Sequence, residues 1–192
     1  MFIPVIDVKS AQYSHLIYRR LTEINVQSKL LPVETTLNDI IKMRADAVIL
    51  SGGPPRIFES LGELSNLIEI VLNFESPILG ICVSHQLIAC AFGGKAGPAK
   101  NPEYGPVVIY IDDKNEIFEG FNNQFIAWAS HNDEVYTPLP RELKVLAHSE
   151  NCEVQALKHL SRPVYGVQFH PEVSHTENGL EIFRNFTSLV KA

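Results

Sequence analysis

The chain has 192 residues, enough for one sizeable core, and its 45% hydrophobic and 20% charged residues are proportions of a soluble globular domain. A net charge of −6 with no Lys/Arg run excludes a general nucleic-acid binder, and no apolar run approaches the roughly 18 residues that span a bilayer. The three cysteines, Cys82, Cys90 and Cys152, form no CxxC pair, which disfavours a disulfide framework and a zinc cluster and suits a reducing, cytoplasmic setting.

The N-terminus, Met1 to Asp7, is apolar without a basic leader or cleavage site and reads as a first strand over residues 2–8. Ser10 can cap a helix carrying Tyr13, Leu16, Ile17 and Leu21, and residues 26–31 form a second short strand. Thr36 with Asp39 resembles a capping box opening a brief helix through Ile40 and Ile41. A compact apolar strand at 47–50 runs into Ser51-Gly52-Gly53-Pro54-Pro55, and Leu61, Leu64, Ile68, Val71 and Leu72 then recur at helical spacing. A strand at 77–81 meets a sharp turn at Cys82 and a helix to Phe92, which Gly93-Gly94 stop. This alternation predicts parallel strands covered on both faces.

The second half changes character. Residues 107–111, 125–129, 143–148, 153–158 and 164–169 read as strands joined by short turn-rich links such as 112–115 and 138–141, which suits antiparallel pairing. The chain closes with an amphipathic helix over 177–190 carrying Leu180, Phe183, Phe186 and Leu189. No linker, repeat or low-complexity segment interrupts it, so a single mixed α/β domain over residues 1–192 is expected.

Chemistry concentrates at three places. Cys82 stands at a strand–turn–helix apex, where the amides and dipole of the new helix favour negative charge; the same residue would also serve as an ordinary buried strand-end cysteine. His170 lies where the strand at 164–169 ends, Pro171 turns the chain, and Glu172 can accept the imidazole N–H and hold its tautomer. Each of these two, taken singly, is also an ordinary strand-end or loop residue. The Gly52-Gly53 turn lets backbone N–H groups approach a ligand, so Gly53 N–H and Val83 N–H are a candidate oxyanion pair, although Gly-Gly-Pro is also an ordinary turn. A metal site from His170, Glu172 and His175 is disfavoured, because Pro171 blocks a helix there and the histidine spacing is not one helical face.

Taken together, Leu79-Gly80-Ile81-Cys82-x-x-His85-Gln86, Ser51-Gly52-Gly53-Pro54 and Gly166-Val167-Gln168-Phe169-His170-Pro171-Glu172 resemble the three signatures of the class I, or triad, glutamine amidotransferases. They stand in that family's order, and the resemblance runs from the first strand to the last helix. It implies an open mixed, mainly parallel, flavodoxin-like sheet flanked by helices on both faces, with the site at the carboxyl ends of the strands. It implies glutamine hydrolysis through a thioester, with Cys82 attacking, His170 moving the proton and Glu172 orienting His170. By position in the family, Gln86, Ser130 and His131 are candidate glutamine contacts. Ser84 departs from the glycine usual two residues after the nucleophile, which implies a more strained elbow or lower activity in isolation.

Three further segments resemble the GMP synthase subgroup: Val173-Ser174-His175-Thr176 after the last motif, Ser130-His131-Asn132-Asp133-Glu134-Val135, and Glu103-Tyr104-Gly105. Read as loops at the mouth of the site, they make Asp133, His175 and Thr176 candidate coupling residues; His131 and His175 would equally serve as solvated loop or capping residues. No SGGxDS-type phosphate loop accompanies them, since Pro54-Pro55 follows Gly53. The resemblance therefore implies a chain that binds no cofactor itself. Its partner would be a separate ATP-pyrophosphatase (synthetase) subunit that uses ATP and Mg²⁺ to aminate XMP. The competing readings are a component of another synthase such as anthranilate synthase, a γ-glutamyl hydrolase relative, and a non-catalytic binding or regulatory module on the same fold.

Overall fold

A computed structural model of the chain describes residues 1–9, 11–114 and 116–190. Its centre is a nine-stranded sheet built from β1 (Val5–Ile6), β2 (Leu30–Leu31), β3 (Val48–Leu50), β4 (Ile78–Ile81), β5 (Ala96–Ile111), β6 (Gln124–Val135), β7 (Leu143–His148), β8 (Ala156–His159) and β9 (Val164–Val167), in the order β2-β1-β3-β4-β9-β8-β7-β5-β6. The four ladders from β2 to β9 are parallel and the four from β9 to β6 antiparallel, so the mixed sheet is evenly divided rather than weighted to its parallel half.

Alternation along each strand sends side chains to two cores. Val5, Ile49, Leu79, Ile81, Tyr165 and Val167 face one side, with α1 (Ser14–Glu23) and α6 (Gly179–Ser188). Ile6, Val48, Leu50, Ile78 and Val164 face the other, under α2 (Leu37–Lys42), α3 (Ile57–Ser60), α4 (Ser65–Asn73) and α5 (Val83–Ala91). Phe118, Phe169, Phe183 and Phe186 are fully buried on the first side, each contributing about 1.5–3 kcal/mol.

The Thr36–Asp39 capping box forms as expected. The proposed Ser10 cap lies outside the described residues, and α1 begins at Ser14 with no side-chain cap on Tyr13. The helical run at 61–72 divides into a 3₁₀ turn at Leu61–Leu64 and α4, with the short α3 preceding it. In α6 the inward stripe is Ile182, Phe183 and Phe186, with Leu180 only half-buried. Gly93 and Gly94 end α5 by donating to Cys90 and Ala89 carbonyls at 3.0 and 2.8 Å.

The largest departure concerns residues 130–135. They are not a loop but the end of β6, and Glu103-Tyr104-Gly105 lies opposite them in β5, with Glu103 paired to His131 and Tyr104 to Ser130. Period-two burial continues through Ala129, His131, Asp133 and Val135. Polar residues occupy inward positions there, so an apolar/polar alternation test stops too early.

Candidate active site

Cys82 closes β4 and opens α5 with φ +54° and ψ −110°, a conformation that costs a non-glycine residue on the order of 1–3 kcal/mol. Its backbone is held from both sides. Cys82 N–H donates to Val167 at 2.8 Å, and its carbonyl accepts from His85 N–H at 3.0 Å and Gln86 N–H at 3.2 Å. Gly80 permits the tight turn, because a Cβ there would lie 2.7 Å from the Ser84 carbonyl oxygen. The thiol is thereby presented at the N-terminus of a nine-residue helix and sits 3.8 Å from the Ser130 carbonyl oxygen.

Beyond β9 the chain crosses to β6, where His170 N–H donates to the Trp128 carbonyl at 2.9 Å. His170 Nδ1 meets Glu172 Oε1 at 2.7 Å, and both side chains are buried. Nδ1 therefore carries the hydrogen, and Nε2 is left for Cys82. Burial opposes charge on His170, but the Glu172 carboxylate together with Cys82 outweighs it and raises the imidazole pKa well above the usual histidine value. Three features that sequence reasoning missed mark this corner. Arg20 Nε donates to the Glu172 carbonyl at 3.0 Å, the Tyr13 ring stands edge-on to His170 at 5.0 Å, and a second Glu172 oxygen is buried without a hydrogen-bond partner among the described residues.

The Gly52-Gly53 turn faces these groups. A Cβ on Gly52 would lie 3.1 Å from His170 Cε1 and 3.3 Å from Cys82 Cβ, and one on Gly53 would lie 2.3 Å from the Val8 carbonyl oxygen. A side chain at Gly53 would thus collide with backbone, and one at Gly52 would crowd both Cys82 and His170. Cys82, His170, Gly52, Gly53, Val83, Gln86, Ser130 and Asp133 together line a cleft of about 340 Å³. Gly53 and Val83 border the same space as the thiol, as an oxyanion pair requires.

The remaining expected contacts divide. Gln86 lines the cleft, but its Nε2 already donates to the Asp133 carbonyl at 2.9 Å and Gln168 Oε1 at 3.0 Å. His131 forms part of the wall with both ring nitrogens engaged, Nδ1 on the Asp133 carbonyl and Nε2 on Glu103, so its side chain is a poor glutamine contact. Asp133, placed at a coupling surface by sequence, is buried and gripped by Arg56 through two nitrogens at 2.6 and 3.3 Å. Thr176 is also buried, because its hydroxyl donates to the His170 carbonyl and accepts from Trp128 N–H. Of the three coupling candidates His175 alone is exposed, tilted against Trp128. Arg56 carries no sequence signal, since its partner lies 77 residues away.

The profile of the family described as "Glutamine amidotransferase class-I" matches residues 5–189. A glutamine-hydrolysing GMP synthase subunit from Methanocaldococcus jannaschii is 46% identical over 96% of this chain and 95% of its own. The equivalent GMP synthase subunit from Pyrococcus abyssi is 48% identical over 96% and 97%. The crystal structure of a GMP synthase subunit from Thermoplasma acidophilum superposes with a TM-score of 0.92 at 36% identity, covering 99% of this chain and 94% of that one. A glutamine amidotransferase from Thermotoga maritima gives 0.74 at 25% identity over 90% and 76%.

Proposed function

The chain belongs to the class-I glutamine amidotransferase family, and we propose from that premise that it is the glutamine-hydrolysing subunit of a two-subunit GMP synthase. The observation that carries the chemistry is the Cys82 thiol on its left-handed elbow, beside a buried His170–Glu172 pair and a glycine turn. The acceptor is supported by relatives named as subunits of glutamine-hydrolysing GMP synthase that align over nearly their whole length.

Cys82, as thiolate, adds to the side-chain carbonyl carbon of glutamine, and the C=O electron pair moves onto oxygen. Gly53 and Val83 N–H receive that oxyanion, which water would stabilise less well than fixed dipoles do. Collapse breaks the C–N bond while protonated His170 delivers its proton to the departing nitrogen, leaving ammonia and a γ-glutamyl thioester. A water then gives a proton to His170 and adds to the thioester carbon. Breaking the C–S bond releases glutamate and restores the thiolate beside a protonated His170. Glu172 holds the ring in the one tautomer that can do both transfers.

The ammonia passes to a separate ATP-pyrophosphatase subunit, which holds ATP and Mg²⁺ and aminates XMP; this chain binds no cofactor. A cytoplasmic location accords with three free cysteines and with the absence, among the described residues, of a helix long and apolar enough to cross a membrane. The test is glutamine hydrolysis with and without the matching synthetase, ATP, Mg²⁺ and XMP, for the natural protein and Cys82→Ala. Turnover that rises with the full mixture and vanishes in Cys82→Ala is expected. Hydrolysis indifferent to XMP and the synthetase would mean a different acceptor.

A further inference from the structure

We infer that Ser84 and Ser51 are positioning residues that lock the two halves of the oxyanion site together; this rests on the glutamine-hydrolysing reading above. The two proposed donors come from separate elements, Val83 from the first turn of α5 and Gly53 from the turn after β3. Ser84 Oγ donates to the Ser51 carbonyl oxygen at 2.6 Å, in a buried contact joining residues 33 apart in sequence. Ser51 Oγ in turn donates to the Gly52 carbonyl oxygen at 2.7 Å and accepts from Val8 N–H at 2.9 Å. Both serines are essentially inaccessible to solvent.

Peptide planarity converts these bonds into aim. The Ser51–Gly52 and Gly52–Gly53 bonds are trans, so within each plane the N–H points opposite to the C=O. Holding the Ser51 carbonyl therefore fixes Gly52 N–H, and holding the Gly52 carbonyl fixes Gly53 N–H on the side away from the buried Ser51 hydroxyl. That side is the cleft, which Gly52 and Gly53 line. Among the described residues neither N–H has a backbone acceptor of its own, so no such bond sets their direction. A glycine turn without such holds is free to rotate its peptide planes. At position 84 a glycine cannot make the contact, so the serine here supplies a latch instead of merely straining the elbow.

The experiment compares the natural protein with Ser84→Gly, Ser84→Ala, Ser84→Thr and Ser51→Ala in complex with the synthetase, ATP, Mg²⁺ and XMP. For Ser84→Gly and Ser84→Ala, kcat for glutamine should fall roughly 10- to 100-fold, the scale of a misplaced oxyanion donor. KM should stay within about twofold, and alkylation of Cys82 by iodoacetamide should be unchanged, because that reaction forms no oxyanion. Ser51→Ala should follow the same pattern, and Ser84→Thr, which keeps the hydroxyl, should recover most of the loss. Hydrogen exchange at ¹⁵N-glycine amides supplies a readout independent of turnover, with Gly52 and Gly53 exchanging about 5- to 10-fold faster without the Ser84 hydroxyl. Unchanged kcat and exchange in both Ser84→Gly and Ser84→Ala would overturn the latch, as would parallel losses of kcat and alkylation. If the natural protein hydrolyses no glutamine, the function proposed above fails, while the exchange rates still decide whether the turn is pinned.

Discussion

Two buried histidine–glutamate pairs border one cleft through their histidines, with nearly equal separations, 2.7 Å for His170–Glu172 and 2.9 Å for His131–Glu103. They differ in what the rest of each ring meets. His131 Nδ1 faces the Asp133 carbonyl, while Glu103 also accepts from Ser149 and Gln155, so that pair is closed on every side by the fold. His170 gives only Nδ1 to Glu172 and keeps Nε2 beside a thiol. A short histidine–glutamate contact is common to both; a ring nitrogen left beside a thiol belongs to one. The first arrangement rigidifies the wall, and the second can move a proton.

Replacing each histidine breaks this comparison most sharply. His170→Ala should lower kcat by as much as about 10⁶-fold and, because it leaves the Glu172 carboxylate buried with no donor, should also cost on the order of 3–5 kcal/mol of stability. His131→Ala should cost on the order of 1–3 kcal/mol of stability, since Glu103 keeps Ser149 and Gln155 as donors, and should lower turnover far less than His170→Ala does. Steady-state turnover and urea melts of both variants check this, and a His131→Ala protein of natural stability but no activity would reverse the assignment. The carboxylates should divide likewise. Glu172→Gln is expected to lose roughly 10²- to 10⁴-fold in kcat through the wrong tautomer, and Glu103→Gln should alter melting more than turnover.

A pH series sharpens the contrast further. Because the folded-state pKa of His170 is raised, its stabilising contribution is fully present below the unfolded value of about 6.5 and is lost as pH climbs through the raised value. The Tm difference between the natural protein and Glu172→Gln should therefore be larger near pH 6 than in alkaline buffer. A difference that grows with pH would contradict the charge state assigned here. The smallest effect belongs to exposed His175. His175→Ala should change stability by no more than about 0.5 kcal/mol and leave Cys82 alkylation alone. Its effect should be confined to stimulation by the synthetase and XMP, measured as the ratio of coupled to uncoupled hydrolysis.

Sequence reading reached the parts of this protein that local physics controls. Apolar runs of four or five residues ending at Ser51 and Cys82 marked buried strands. Periodic Leu and Phe marked helices, and Thr36 with Asp39 marked a cap. The strand–turn–helix elbow at Cys82, the glycine turn and His-Pro-Glu were legible for the same reason, since each is a few consecutive residues whose types are constrained by backbone geometry. Reading 130–135 as a loop failed because the rule for a half-buried strand assumes that inward means apolar. His131 and Asp133 point inward because partners from elsewhere in the chain satisfy them.

Only the tertiary structure decided which polar groups meet. Ser84 reaches Ser51 across 33 residues, Glu103 reaches His131 across 28, and Arg56 reaches Asp133 across 77. No periodicity or spacing encodes such pairs, because each depends on the order of strands in the sheet and on the return of β6 over α5. Thr176 and Asp133 moved from an expected surface to the interior, and Ser84, expected to strain the elbow, is found hydrogen-bonded to the Ser51 carbonyl, on the same account. The sequence by itself determined the elbow, the His-Pro-Glu turn and the alternation that builds the sheet, since adjacent residues dictate backbone conformation. The three-dimensional packing alone determined which histidine has a nitrogen to spare, since that is a property of neighbours brought together by folding.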